Sequence, residues 1–148
     1  MREFFSNDGS GFNYTNPASG FIFYKSANPN NNFTFYTTDS AAGFSTAIDG
    51  LSVTFNTPYI VTGRRAALLS SLYKNGTRVA NLTVPSFGPN TSAPFRIGCQ
   101  NDGTIHCFDG QISEIIMYSR ALKIEERRAV ESYLGKKYAI SVSFVTGQ

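Results

Sequence analysis

From Phe21 to Cys99 one short segment after another alternates apolar and polar residues, and no helical pattern of useful length appears before residue 122. Successive strand side chains point to opposite faces, so this period of two commits the early chain to half-buried strands with one wet face. Phe21-Ile22-Phe23-Tyr24 is such a run, bounded by Ala18-Ser19-Gly20 and by the turn-forming cluster Asn28-Pro29-Asn30-Asn31-Asn32. In the next run Phe33 and Phe35 share one face while Thr34 and Tyr36 share the other, and Leu51 to Asn56 and Phe95 to Cys99 alternate in the same way. Thirteen Phe and eight Tyr without a single Trp suit short strands joined by polar turns, because aromatic side chains fit a pleated surface.

Leu72-Tyr73-Lys74-Asn75-Gly76-Thr77-Arg78-Val79 is the strongest local signal, since Asn-Gly supplies the two positive-φ residues of a type I′ hairpin turn. Leu82 to Val84 continues the second strand until Pro85, which has no N–H for a ladder. The stretch 111–118 differs from the rest. Ile112, Ile116 and Tyr118 share one face and Ile115 and Met117 the other, which predicts a strand covered on both sides. Leu122 to Leu134 predicts the one helix, with Glu125 and Glu126 at its N-terminus and Val130, Tyr133 and Leu134 as an apolar stripe. Lys123 stands where a helix cap is expected and has no acceptor to offer the free backbone N–H groups. Phe144-Val145 is expected as an edge strand, giving roughly ten strands and one helix in all.

The order Phe108-Asp109-Gly110-Gln111-Ile112-Ser113-Glu114-Ile115-Ile116-Met117-Tyr118-Ser119-Arg120-Ala121-Leu122, then Glu126-Arg127, Val130 to Leu134 and Lys137-Tyr138-Ala139-Ile140, resembles the C-terminal end of concanavalin A-like lectin/glucanase domains of the laminin G-like kind. The Tyr-x-Asn-Gly hairpin at Tyr73 to Gly76 is similar to one often found in these domains. The resemblance implies an all-β fold: a two-sheet antiparallel β-sandwich, or jelly roll, with one short C-terminal helix near 123–134. It implies a fold far more than an activity.

With 148 residues, 41% of them hydrophobic, the chain is expected to form a single domain over 1–148. Its net charge of +3 is concentrated in Arg120 to Lys137, where six basic residues face three acids; elsewhere seven face seven. Because the acids interleave with the bases, and Arg127 and Glu131 are spaced for an i,i+4 pair, this is expected to be a solvated helix face rather than a nucleic-acid footprint. The N-terminus carries no apolar run of signal-peptide length, and no segment is suited to membrane insertion. An extracellular or virion-surface location is expected, reached by processing, by a signal-independent route or by assembly of a particle.

Cys99 and Cys107 flank seven residues as though closing a hairpin, so a disulfide and a pair of free thiols are both open readings. His106, the sole histidine, fits no zinc spacing with them, and no metal site is expected. No cofactor is expected. Calcium is the alternative, through oxygen ligands at Asn7-Asp8-Gly9, Asp39-Ser40, Asn101-Asp102-Gly103 or Asp109-Gly110, though such pairs more often form turns. The Glu-x-Asp-x-x-Glu set of the glucanase branch is absent, no G-x-S-x-G elbow surrounds a Ser, and Glu114 is expected to bond backbone from an inward position, as its counterparts in the family do. The chain is therefore expected not to be an enzyme.

Tyr59, Arg64, Arg65, Asn101 and Asp102 lie in expected turns and supply the ring face and polar groups that bind sugars. Sequons occur at Asn13, Asn32, Asn75, Asn81 and Asn90, relevant only in a eukaryotic secretory pathway. The expected function is a lectin-like recognition or adhesion module whose partner is a glycan or cell-surface ligand. The alternative is a structural subunit of a virus particle or appendage that packs against neighbouring subunits and binds no sugar. The ligand itself is not written in these residues.

Overall fold

The computed structural model describes residues 2–6, 21–25, 32–37, 46–83, 95–99 and 107–147. They form mostly strands, with a single helix. The strands are β1 (Arg2–Ser6), β2 (Phe21–Lys25), β3 (Asn32–Thr37), β4 (Thr46–Ser52), β5 (Val61–Ala66), β6 (Leu69–Lys74), β7 (Thr77–Thr83) and β8 (Arg96–Ile97), and the helix is α1 (Ile124–Tyr138). One sheet has the order β4-β3-β2-β1-β8 and the other β5-β6-β7, and every neighbouring pair is antiparallel.

The hairpin falls where Asn-Gly predicts it. Asn75 and Gly76 take φ of 49° and 87°, and Lys74 pairs with Thr77 across the two-residue turn. Asn75 also fixes the entry to β5: its N–H donates to Ile60 O at 2.8 Å and its Oδ1 accepts from Ile60 N–H at 2.9 Å. Phe33 and Phe35 of β3 meet Leu72 of β6 in the buried core, with Val53, Tyr59, Val61, Val79, Ala80 and Leu82 packed around them. Burial of each of those first three side chains contributes about 2 kcal/mol. Beside this cluster the Thr37 and Ser70 hydroxyls bond at 2.8 Å, and Arg65 Nη1 donates to both, at 3.3 and 3.2 Å. A buried polar seam thus joins β3 to β6.

Several expectations give way. Thr34 is fully buried, so β3 is covered on both faces rather than wet on one, as befits a strand between β2 and β4. The strand expected over 51–56 lies earlier, at Thr46–Ser52, because the chain turns at Phe55-Asn56, where Asn56 takes φ of 57°. Arg64 and Arg65 stand on β5, not in a turn. The stretch 111–118 joins no ladder; Lys137 and Tyr138 of α1 hold it through Glu114 instead. Phe144-Val145 forms no edge strand, although Ser143 N–H bonds Asn75 O at 2.9 Å.

The helix runs four residues past its expected end. Ala139 takes the left-handed conformation usually given to glycine, with φ of 55°, and Ile140 N–H returns to Gly135 O at 2.9 Å. At the start Lys123 makes no side-chain cap. Glu126 Oε2 accepts from the Lys123 N–H at 2.7 Å, half of a capping box, while Arg120 holds the same carboxylate with two bonds of 2.7 Å. The face that α1 buries is Arg127, Glu131 and Gly135, not the expected Val130, Tyr133 and Leu134 stripe, and Tyr133 is half exposed. The Arg127–Glu131 pair is therefore no solvated ion pair. Its guanidinium carbon lies 3.8 Å from the Tyr73 ring centroid and Nη1 donates to Gly76 O at 3.4 Å, seating the helix on the β6–β7 hairpin.

Candidate functional site: a cleft beside β5

Between β5 and the stretch 108–122 opens a cleft of about 1560 Å³. That exceeds the usual volume of a small-molecule pocket, roughly 300–1,000 Å³. Tyr59, Arg64 and Arg65 all line it, so the structure brings together three of the five residues expected to bind a ligand. Asn101 and Asp102 lie outside the described residues, as do three of the four candidate calcium loops. The fourth, Asp109-Gly110, is exposed on the rim, and among the described residues no three His, Cys, Asp or Glu side chains gather as a metal site.

Each of the three residues is held by its own chain. The Phe33 ring edge meets Tyr59 at 5.4 Å between centroids and 78° between planes, and Lys74 Nζ stands 5.3 Å from the Tyr59 centroid. The Tyr59 hydroxyl accepts from Thr54 N–H at 3.0 Å. Hydrogen bonding to Thr54, through its side chain and then its backbone, lowers the Tyr59 pKa against the opposing effect of burial, and the Lys74 charge adds to it. As neighbours on a strand Arg64 and Arg65 point to opposite faces. Arg64 Nε donates to Leu122 O at 2.8 Å across the cleft, whereas Arg65 reaches back into the Thr37–Ser70 seam.

The opposite wall is the 108–122 stretch. Its start is fixed to β8 by a disulfide between Cys99 and Cys107 and by the bond from Phe108 N–H to Gly98 O at 2.6 Å. Its middle is fixed to the helix. Lys137 Nζ and Tyr138 OH each lie 3.0 Å from Glu114 Oε2, and Lys137 Nζ lies 3.0 Å from Tyr133 OH. The Lys137 bond holds the Glu114 carboxyl below its ordinary pKa, while burial and then the Glu114 hydrogen bond push Tyr138 up. Glu114 therefore bonds side chains rather than the backbone expected from its position.

Sequence reasoning missed the apolar rim. Phe55 is 68% exposed, Met117 52%, Tyr118 51% and Ile116 39%, and all four line the cleft. Their alternation is legible in the sequence, but their exposure is not, since it depends on which strands pair.

A laminin G-like family model described as the concanavalin A-like lectin/glucanases superfamily matches residues 2–126. No curated protein sequence matches the chain. Among solved structures, an S-layer domain-containing protein from Clostridium thermocellum is similar at 20% identity with a TM-score of 0.46. The similarity covers 85% of this chain and 63% of that one, so the chain spans less than two thirds of that structure. A likeness so distant carries over no property.

Proposed function

Because this chain belongs to the concanavalin A-like lectin/glucanase superfamily, we propose that it is a non-catalytic recognition module, a jelly-roll β-sandwich that receives a glycan or other surface ligand in the cleft beside β5. The observation that carries this reading is the cleft itself, where aromatic, apolar and polar groups converge and two of the three carboxylates in its lining, those of Glu114 and Glu131 but not Asp109, are engaged in ion pairs. Glu131 is paired with Arg127 and Glu114 with Lys137. A glycosidase acid needs a carboxyl held protonated, whereas Lys137 shifts Glu114 the other way. The absence of paired carboxylates in the sequence supports the same conclusion. An extracellular or virion-surface site of action follows from this role, and none of the described helices is long and apolar enough to cross a membrane.

Glycan-array binding tests the proposal. We expect retention on a defined set of glycans that free sugar competes away, with no release of reducing sugar. Failure to bind any glycan at micromolar protein would overturn the lectin reading.

The exposed Phe55, Ile116, Met117 and Tyr118 favour a second reading, a structural subunit that packs this rim against its neighbours. In that case the native assembly buries well over about 1,000 Å² at the rim and sugar has no effect.

A further inference from the structure

We infer that the ligand of the cleft is an acidic glycan whose carboxylate sits on the two terminal nitrogens of Arg64, a conclusion that rests on the recognition reading above and adds the chemical class of what enters. Arg64 stands half-buried on β5 and lines the cleft. Its Nε donates to Leu122 O at 2.8 Å, which fixes the guanidinium plane across the opening. Its Nη1 and Nη2 make no hydrogen bond or ion pair among the described residues, and neither is sealed from solvent. A planar pair of donors is thus held ready at the cleft.

The other charges of the lining are engaged elsewhere. Arg127 pairs with Glu131, Arg120 with Glu126 and Glu114 with Lys137, while Arg65 donates into the Thr37–Ser70 seam. Asp109, the remaining acid of the lining, is exposed at the opposite end of the 108–122 wall from Leu122. Arg64 therefore combines a charge met by no acid with terminal donors met by no acceptor among the described residues. A carboxylate concentrates one charge on two coplanar oxygens, which accept two parallel bonds from such an arginine, whereas a sulfate ester spreads its charge over three oxygens that share no plane. A neutral sugar would displace the water around the guanidinium and leave its charge uncompensated. Tyr118, half exposed on the same lining, offers a ring to the body of the sugar.

A glycan array bearing uronate, sulfated and neutral sugars, read with the full chain before and after methyl-esterification of the carboxyls, tests this without a mutation. We expect retention on uronate glycans that falls about tenfold or more on esterification. Arg64→Gln should lose a similar factor, and Arg64→Lys, which keeps the charge but not the planar pair of donors, should lose less. Thermal unfolding of each variant reports whether the fold survives, and the esterification comparison decides if it does not. Retention that survives esterification or prefers neutral or sulfated glycans overturns the carboxylate and leaves the lectin reading standing. Undiminished binding by a folded Arg64→Gln overturns the seat at Arg64. Retention on no glycan at all overturns the lectin reading as well.

Discussion

Asn75 bonds Ile60 twice, donating from its backbone N–H and accepting at its side-chain Oδ1, so one turn residue closes the hairpin and sets where β5 begins. Asn75→Ala loses the side-chain acceptor, strands the Ile60 N–H and places a less tolerant residue at φ of 49°. We expect a loss of about 1–3 kcal/mol, read as a lower urea midpoint with an unchanged slope. Asn75→Asp keeps an acceptor and should lose less.

The buried Arg127–Glu131 pair lends itself to a double-mutant cycle. Removing one partner leaves a charge buried without its counterion, so Arg127→Met and Glu131→Leu should each cost about 3–5 kcal/mol. The double variant should cost far less than their sum, since both charges leave together. Additive losses in denaturant unfolding would show that the two side chains act independently.

Gly135 faces the tail at close range. A methyl group there would stand 2.6 Å from Val142 Cγ2 and 2.8 Å from Ile140 O, and the second of these is backbone that cannot swing aside. Gly135→Ala should therefore destabilise by about 1–3 kcal/mol despite alanine's higher helix propensity. A gain in melting temperature would contradict this packing.

The start of α1 should be sensitive to acid. Arg120, and then the Lys123 N–H, hold the Glu126 carboxyl at about 2 instead of 4.5. A carboxyl whose folded value is depressed stabilises fully above its unfolded value and loses that contribution as pH falls. Helix content by circular dichroism should thus decline between about 4.5 and 2. In Glu126→Gln the decline should be smaller, with a lower plateau at neutral pH.

The hairpin was legible because Asn75-Gly76 is a local instruction that needs no partner. The existence of α1 was legible for the same reason, but its inward face was not. An i,i+4 spacing at Arg127 and Glu131 announces a pair without saying which way it turns, and only the Tyr73 ring decides that it lies inside. Arg64 and Arg65 are expected in a turn, where their guanidinium groups could converge on a sugar. Both instead stand on β5, whose alternation sends one side chain across the cleft and the other into the seam, a placement that depends on strand pairing rather than on local sequence. The 111–118 pattern predicts a strand covered on both faces, but the stretch joins no ladder and four of its five large apolar side chains are more than a third exposed, because which segments pair is not a local property of the sequence.

Val142 lies against two glycines, Gly76 at the hairpin tip and Gly135 in the helix, and any side chain at either would strike it within 2.6 Å. It works as a peg driven through two matching holes, so elements nearly sixty positions apart share one valine as well as the Arg127 seat. Cutting the chain just ahead of that peg should leave Arg127 alone to fasten the helix to the hairpin.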